Sequence, residues 1–551
     1  MSTICKFPLV LFTVYFTIAY SSKVQIANNN KINKGYIDFT FKKKYGVNYD
    51  TATSHSNVEL NLQKRDTGFE LVEITNQQSF YSVQLNIGSP FQQVEVLVDT
   101  GSSDSWITGS DNPYCLGNRN SQILPSDQID CSQYGTFNKS ESSTWSQNET
   151  APPFFISYGD TTFASGIWGQ DQLHLEDINI TGLSFAVANR TNSTVGLLGV
   201  GLPSLEVTNA GRNGYQYDNF PMILKRSGAT RSSAYSLYLN SLDEEHGSIL
   251  FGAVDNSKYT GSLYTIPLIN TLQNYGYDKP IQFEVTLQGI GLSKDANGSN
   301  ITLTTTKIPV LLDSGTTLTY LPKPILDYLA DNINATFSQN HGYYVVPCNS
   351  DGNSSSSFDD NTHLVFDFGG FHIDTPLRDY LINISRNRCI LGLIPQDSNS
   401  GILGDTFLSH AYVVYDLERL EISMAQTRFI NNYDADDAKG TDVNIIDGSN
   451  AVPGAIKAAG YSNTWSTTVS TVGSCGNIFT LQPHVTEVDS QVSVTDSTAI
   501  TPTTTTLSMT VSGSTSTSTK KTKNSAIKES IDYSNLSGII FLSIVYLFNL
   551  F

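Results

Sequence analysis

VEVLVDTGSSDSW, residues 94–106, and IPVLLDSGTTLTY, residues 308–320, decide the fold of this 551-residue chain. Each is an apolar, β-branched run ending on an Asp, Asp99 in the first and Asp313 in the second, followed by a hydroxyl residue, a glycine and another hydroxyl residue. Such a run reads as a strand. Gly101 and Gly315 let the backbone turn sharply, and Thr100, Ser102, Ser314 and Thr316 supply local hydrogen bonds. The result is a loop that presents a carboxylate, made twice. A third candidate, Asp66-Thr67-Gly68, follows Gln63-Lys64-Arg65 and precedes Phe69 instead of a hydroxyl residue, so it lacks the strand and is set aside. Downstream of each retained copy stands an apolar-apolar-Gly signal, Leu197-Leu198-Gly199 and Ile402-Leu403-Gly404. A repeat separated by roughly two hundred residues is what two similar β-rich lobes leave in a sequence.

The rest of the body agrees. From Phe69 to about Ile430, short runs rich in Val, Ile, Thr, Tyr and Phe alternate with Gly, Asn, Asp and Ser turns, an all-β pattern. FYSVQLNIGSP, residues 80–90, alternates as a half-buried strand does, and FEVTLQGIGL, residues 283–292, repeats the theme. The best helix signal is PKPILDYLADNI, with Ile325, Tyr328, Leu329 and Ile333 at helical spacing behind Pro324. FFISYGDTTFASG, residues 154–166, reads as a hairpin with Gly159 at its tip.

Two carboxylates brought together are a recognisable chemical device. Hydrolysis of a peptide bond without a metal or a covalent nucleophile needs an activated water and an acid. Close like charges resist double ionisation, so a shared proton leaves one Asp as base and the other as acid. The titration belongs to the pair and not to either residue.

With both loops and the repeat in view, the chain resembles the pepsin-family aspartic proteases over about residues 66–430. Its ends narrow the resemblance to the fungal yapsins and the surface-anchored secreted aspartic proteases of Candida-like yeasts. The resemblance implies a bilobal pepsin-like fold, with lobes at about 66–255 and 256–430 and the cleft between them. It implies catalysis by Asp99 and Asp313, cross-bracing of the loops by Thr100 and Ser314, and hydrogen bonds from Ser102 and Thr316 to the outer carboxylate oxygens. The hairpin becomes a flap, with Tyr158 covering the substrate and Trp106 its hydrogen-bond partner. Asp160, one residue past the flap tip, hangs over the pocket for the side chain before the scissile bond, which implies a preference for Lys or Arg there; Asp127 and Asp130 are further acidic candidates. The family pattern pairs Cys115 with Cys131 and Cys348 with Cys389, although other connectivities remain formally open, and Cys475 is left over.

The ends of the chain carry addresses. Lys6 and the apolar run from Phe7 to Tyr20 read as a secretory signal removed near Ser21. Residues 22–65 hold eight Lys/Arg, including Lys42, Lys43 and Lys44, against Asp38, Asp50 and Glu59, and close on the dibasic pair Lys64-Arg65. That is a propeptide whose lysines, by resemblance, reach the catalytic carboxylates, and its removal places the mature terminus at Asp66. The whole chain carries -19, so loss of the basic segment leaves an acidic body near -25 that favours cationic peptides and no nucleic acid. Residues 431–524 turn to Ser, Thr, Asp, Gly and Ala and read as a stalk that cannot bury a core. Residues 525–551 end in GIIFLSIVYLFNLF behind a polar spacer, the pattern of a GPI signal with Asn524 as the attachment residue.

Together these readings give a monomeric, secreted aspartic endopeptidase of the cell surface, at the plasma membrane or wall, that processes surface or wall proteins. It needs no cofactor and no metal, since no CxxC, HExxH or clustered His occurs. A serine hydrolase lacks its G-x-S-x-G element. The rival class is a catalytically inactive pepsin-like adhesin or binding protein of the cell wall, to which the stalk and anchor are equally suited but which requires neither Asp loop, nor flap, nor propeptide.

Overall fold

The computed structural model describes residues 35–45, 62–64 and 70–72, then 79–430 with short breaks at 118–122, 159–161, 176–177, 210–213, 243, 245, 295–299, 340–341, 350–354, 356–357, 360 and 386, and finally 442–448, 450–469 and 476–480. Gly159, Asp160, Arg65, Asn524 and Cys475, singled out above, lie outside these residues. The architecture is all-β with few helices, in the bilobal pepsin-like arrangement.

The repeat in the sequence is a repeat in hydrogen bonding. In the first half, strand Gln92–Asp99 takes strand Gly196–Gly199 in parallel, with Gly199 opposite Asp99, and Gly196–Gly199 pairs antiparallel with Ser105–Thr108. In the second half, Ile308–Leu312 takes Gly401–Leu403 in parallel, and Leu403 opposes Leu312; Gly401–Leu403 then meets Thr319–Pro322 antiparallel. Each Asp thus leaves a strand segment, residues 96–98 or 308–312, that is buried on both faces, which explains why these segments are apolar without alternation. Gly199 and Gly404 are required for contact: a methyl at either would overlap the backbone of the loop that follows the Asp in the same half, around Ser103 and Asp104 or at Thr316.

The halves are joined by one long sheet. It runs from Tyr259–Pro267 through Glu421–Thr427, Ala411–Asp416, Tyr235–Tyr238 and His246–Phe251 to Ile37–Tyr45, and from there into Ser79–Ile87 and Gln92–Asp99. The lobe boundary expected at 255/256 is therefore no gap, because residues 235–267 and 411–427 build a shared sheet. Strand Ile37–Tyr45, from the basic N-terminal segment, sits inside that sheet, paired with His246–Phe251 on one side and Ser79–Ile87 on the other. Its Ile37 and Phe39 are buried against Phe220 and Phe251. Lys43 on the same strand is buried, and its Nζ donates to Leu242 O at 2.7 Å.

The helix expected at residues 322–333 is Lys323–Ile333, with Ile325, Leu326, Leu329, Ala330 and Ile333 turned inward and Tyr328 only half-buried. The disulfides Cys115–Cys131 and Cys348–Cys389 are both formed, with Cα separations of 5.3 and 5.7 Å.

The stalk boundary at 430 needs correction. Val443–Ile445 pairs with Ala253–Asp255, and Ala455–Lys457 extends the long sheet beside Tyr259–Pro267. Ile446, Val452 and Ile478 are buried. Beyond the strands, the Tyr461 hydroxyl accepts Thr286 N–H at 2.9 Å, and Ile478 and Phe479 lie on Gly289 and Gly291, where the absence of side chains makes room for them. The polar composition concealed this strap because isolated apolar residues are enough to bind a segment to a sheet that already exists.

Candidate active site

The two Asp loops meet tip to tip. Thr100 Oγ1 donates to Leu312 O at 2.9 Å and accepts Ser314 N–H at 2.9 Å, while Ser314 Oγ donates to Val98 O at 3.0 Å and accepts Thr100 N–H at 3.2 Å. Four buried hydrogen bonds from two hydroxyl residues thus lock one loop to the other. A methyl group on Gly101 would overlap the Asp313 carboxylate, and one on Gly315 would overlap that of Asp99, so glycine at both positions permits the carboxylates to face each other.

Each carboxylate is held in the same way. Asp99 accepts Gly101 N–H at 2.8 Å on Oδ1 and the Ser102 hydroxyl on Oδ2. Asp313 accepts Gly315 N–H at 2.8 Å on Oδ1 and the Thr316 hydroxyl at 2.7 Å on Oδ2. Both are buried. Burial first, and the neighbouring Asp313 charge second, push the Asp99 carboxyl well above the usual range, against the donors on Ser102 and Gly101 that favour its charged form. An acid and a base are thereby available from one residue type at one place.

Over the first lobe stands the hairpin Phe154–Ser157 with Phe163–Leu175. Tyr158 lies at its rim, and its hydroxyl accepts Trp106 Nε1–H at 2.7 Å. Trp106 lies on Ser105–Thr108, the strand that leaves the Asp99 loop, so the hairpin is tied to the loop that carries the carboxylate. Asp127 and Asp130 are exposed in the Cys115–Cys131 loop, and Asp130 Oδ1 accepts Ser132 N–H at 3.0 Å.

Further acids went unread in the sequence. Asp405 follows Gly404 directly and is fully buried; burial and Asp313 drive its carboxyl far up, partly opposed by Lys43. Neither of its oxygens has a hydrogen-bond partner among the described residues. Lys43 is thus a lysine of the basic trio whose charge reaches Asp405, an acid beside the dyad. Asp104, inside the first quoted stretch, is buried too, as is Glu206. The available signal was a charge beside a buried strand, with Asp104 just before Ser105–Thr108 and Asp405 two positions after Gly401–Leu403. Among the described residues no cluster of three or more His, Cys, Asp or Glu is arranged to hold a metal, and no helix is long and apolar enough to cross a membrane.

Two buried carboxylates, each fixed by a glycine N–H and a hydroxyl and presented from duplicated loops, are the centre of an aspartic endopeptidase. Residues 80–427 match the family described as eukaryotic aspartyl protease, and the chain belongs to this pepsin family. It is 49% identical over 518 residues to aspartic proteinase MKC7 of Saccharomyces cerevisiae, covering 85% of this chain and 83% of that one. Aspartic proteinase yapsin-3 of the same yeast is 48% identical over 451 residues, covering 81% and 80%. Secreted aspartic protease 9 of Candida albicans stands further away, at 33% identity over 478 residues, covering 72% and 85%.

Proposed function

We propose that Asp99 and Asp313 share one proton and hydrolyse peptide bonds by activating a water between them, one carboxylate taking the water proton while the other, protonated, donates to the carbonyl oxygen. The observation that carries this reading is the reciprocal bracing of the loops through Thr100 and Ser314, which fixes the carboxylates before substrate arrives. Acid-optimum proteolysis blocked by a statine-type transition-state mimic tests it: Asp99→Asn should lower kcat by about 10³-fold or more, the scale of a lost general acid–base group. Absence of acid-optimum proteolysis in the wild type returns the chain to the adhesin reading, and retention of it in the variant means that Asp99 is not the catalyst.

The enzyme is a surface protease made as a zymogen. Cleavage after Lys64-Arg65 yields the mature chain from Asp66, and the segment around Asn524 carries it to a GPI anchor at membrane or wall, where proteins of that surface are its substrates. Tyr158 and the flap close over the bound peptide. Asp160 selects Lys or Arg before the scissile bond, because a partly desolvated ion pair discriminates a basic from an apolar side chain by on the order of 2 kcal/mol. A peptide library cleaved by wild type and Asp160→Ala checks this: the variant should lose basic-site cleavage and keep cleavage after large apolar residues, whereas an unchanged profile makes Asp160 a turn residue.

A further inference from the structure

Behind the Asp99 loop lie two acids that the hydrolytic reaction does not use. Asp104 and Glu206 are both about 2% exposed. Asp104 Oδ2 accepts Val207 N–H at 2.8 Å and its Oδ1 accepts the Tyr217 hydroxyl at 2.7 Å. Glu206 Oε2 accepts the backbone N–H of the same Tyr217 at 2.8 Å, and its Oε1 has no partner among the described residues. One tyrosine is thus gripped at its hydroxyl by one acid and at its backbone by the other.

The opposite side of Tyr217 faces the flap. Its ring lies 5.6 Å from that of Trp168, which stands on Phe163–Leu175 and packs edge-on against Phe154 of the partner strand at 5.1 Å. Two residues earlier, the Tyr215 hydroxyl accepts Asn148 Nδ2–H at 3.1 Å, and the backbone N–H of Asn148 donates to Trp168 O at 2.9 Å. Residues 215–217 therefore touch the base of the flap hairpin twice. Asp104 itself stands two positions before Trp106, whose indole holds Tyr158 at the flap rim.

We propose that Tyr217 is a positioning residue for the flap, tying the base of that hairpin to the buried acid pair Asp104 and Glu206, so that the charge on the pair sets how firmly the flap is held. The proposal rests on the reading of the paired strands Phe154–Ser157 and Phe163–Leu175 as the base of the substrate-covering hairpin. When both acids are neutral, each serves as an acceptor for Tyr217 at no electrostatic cost. The donors on Val207 and Tyr217 favour the charged acids, but burial outweighs them, so ionising the pair, two like charges in a poorly solvated space, favours an arrangement that lets water reach them at Tyr217. The described titratable groups facing the pair are Tyr215, Tyr217 and Asp218, and Asp218 is ion-paired with Arg226, so no cation is directed at Asp104 or Glu206 from these groups. Burial pushes Asp104 up to about 6 and Glu206 to about 9. Both shifts are upward from ordinary carboxylate values, so the tie is complete in acid and weakens as pH rises through that interval.

The test separates substrate capture from chemistry on a fluorogenic peptide, with kcat and KM measured from pH 3 to pH 8. In the wild type KM should rise about tenfold towards neutrality, the scale of one pKa unit of differential interaction. Asp104→Asn/Glu206→Gln, which keeps the hydrogen-bonding shapes without the charges, should hold that rise below about twofold. Tyr217→Phe keeps the ring on Trp168 and loses the tie, so its KM should be raised about five- to tenfold in acid with kcat changed by less than about twofold. Tryptophan emission gives a second readout: a step between pH 5 and pH 8 in the wild type, absent from the double variant. Superimposable KM profiles for the wild type and the double variant overturn the proposal. Tyr158→Phe is the control for its basis. If that variant raises KM and Tyr217→Phe does not, the Tyr217 tie alone is wrong; if Tyr158→Phe changes nothing, the flap reading fails and takes the proposal with it.

Discussion

The strand leaving Asp99 and the strand leaving Asp313 follow the same course with different cargo. Seven positions beyond each Asp is an aromatic residue, Trp106 in one and Tyr320 in the other, opposite Leu197 and Ile402 of the crossing strand. Five positions beyond, the first lobe has buried Asp104 and the second has Leu318; after the crossing strand, the first has Val200 and the second buried Asp405. The difference shows what duplication is obliged to keep. The groups around each carboxylate are fixed in both lobes, because the hydroxyl donates to its oxygen and only glycine leaves room for the carboxylate opposite. Positions that only fill space are free to diverge, and each lobe has placed an extra acid at a different one.

The comparison breaks most readily where the C-terminal strap lies, along the shared sheet and the second lobe. A chain ending at residue 430 loses the burial of Ile446, Val452 and Ile478, worth about 1.5–3 kcal/mol each. It should melt well below a chain ending at 480, whereas a chain ending at 524 should match the latter and remain active. Equal melting of the 430 and 480 forms would mean that the strap does not support the lobe it covers.

Next in size is the bracing, where the lobes should prove equivalent. Thr100→Val and Ser314→Ala each remove the bonds to one backbone carbonyl and one N–H of the opposite loop, so each should cost about 1–3 kcal/mol in denaturant melts. The double variant should lose less than the sum, since the residues act on each other. Full additivity would show two independent loops.

A last effect is in pH dependence, and it separates the lobes again. Burial raises Glu206 to about 9 and Glu284, which accepts the Thr271 hydroxyl, to about 7. An acid raised on folding contributes stability in full below its unfolded value, and that contribution is lost as pH climbs to the folded value. Calorimetry should therefore show melting temperature falling from about pH 4.5 towards 7 in the wild type. Glu284→Gln should remove the part of the fall that ends near 7, and Glu206→Gln the part that continues to about 9. A melting temperature that rises over this range contradicts both assignments.

The dyad loops were legible because their requirements are local: an apolar strand, an Asp, a glycine and hydroxyls within four residues. The flap partner Trp106 was legible through resemblance, since nothing in residues 154–166 points to it. Asp104, Glu206 and Tyr217 were not legible, because they are more than a hundred positions apart at the extremes and acquire meaning only when Val200 and its neighbours cross beside Asp99. The strap failed for another reason. Its apolar residues are sparse, and a composition test measures what a segment can bury by itself, not what a finished sheet offers it.

If, as proposed, cleavage after Lys64-Arg65 activates the enzyme, strand Ile37–Tyr45 has a consequence for how it is switched on. It lies upstream of Lys64-Arg65 and within the sheet, between two strands that it bridges. A cut at the dibasic pair converts one chain into a noncovalent two-chain complex and leaves every hydrogen bond of that strand in place. Departure of the strand is then a dissociation governed by mass action, so the appearance of activity after cutting follows dilution and time instead of the number of bonds cleaved.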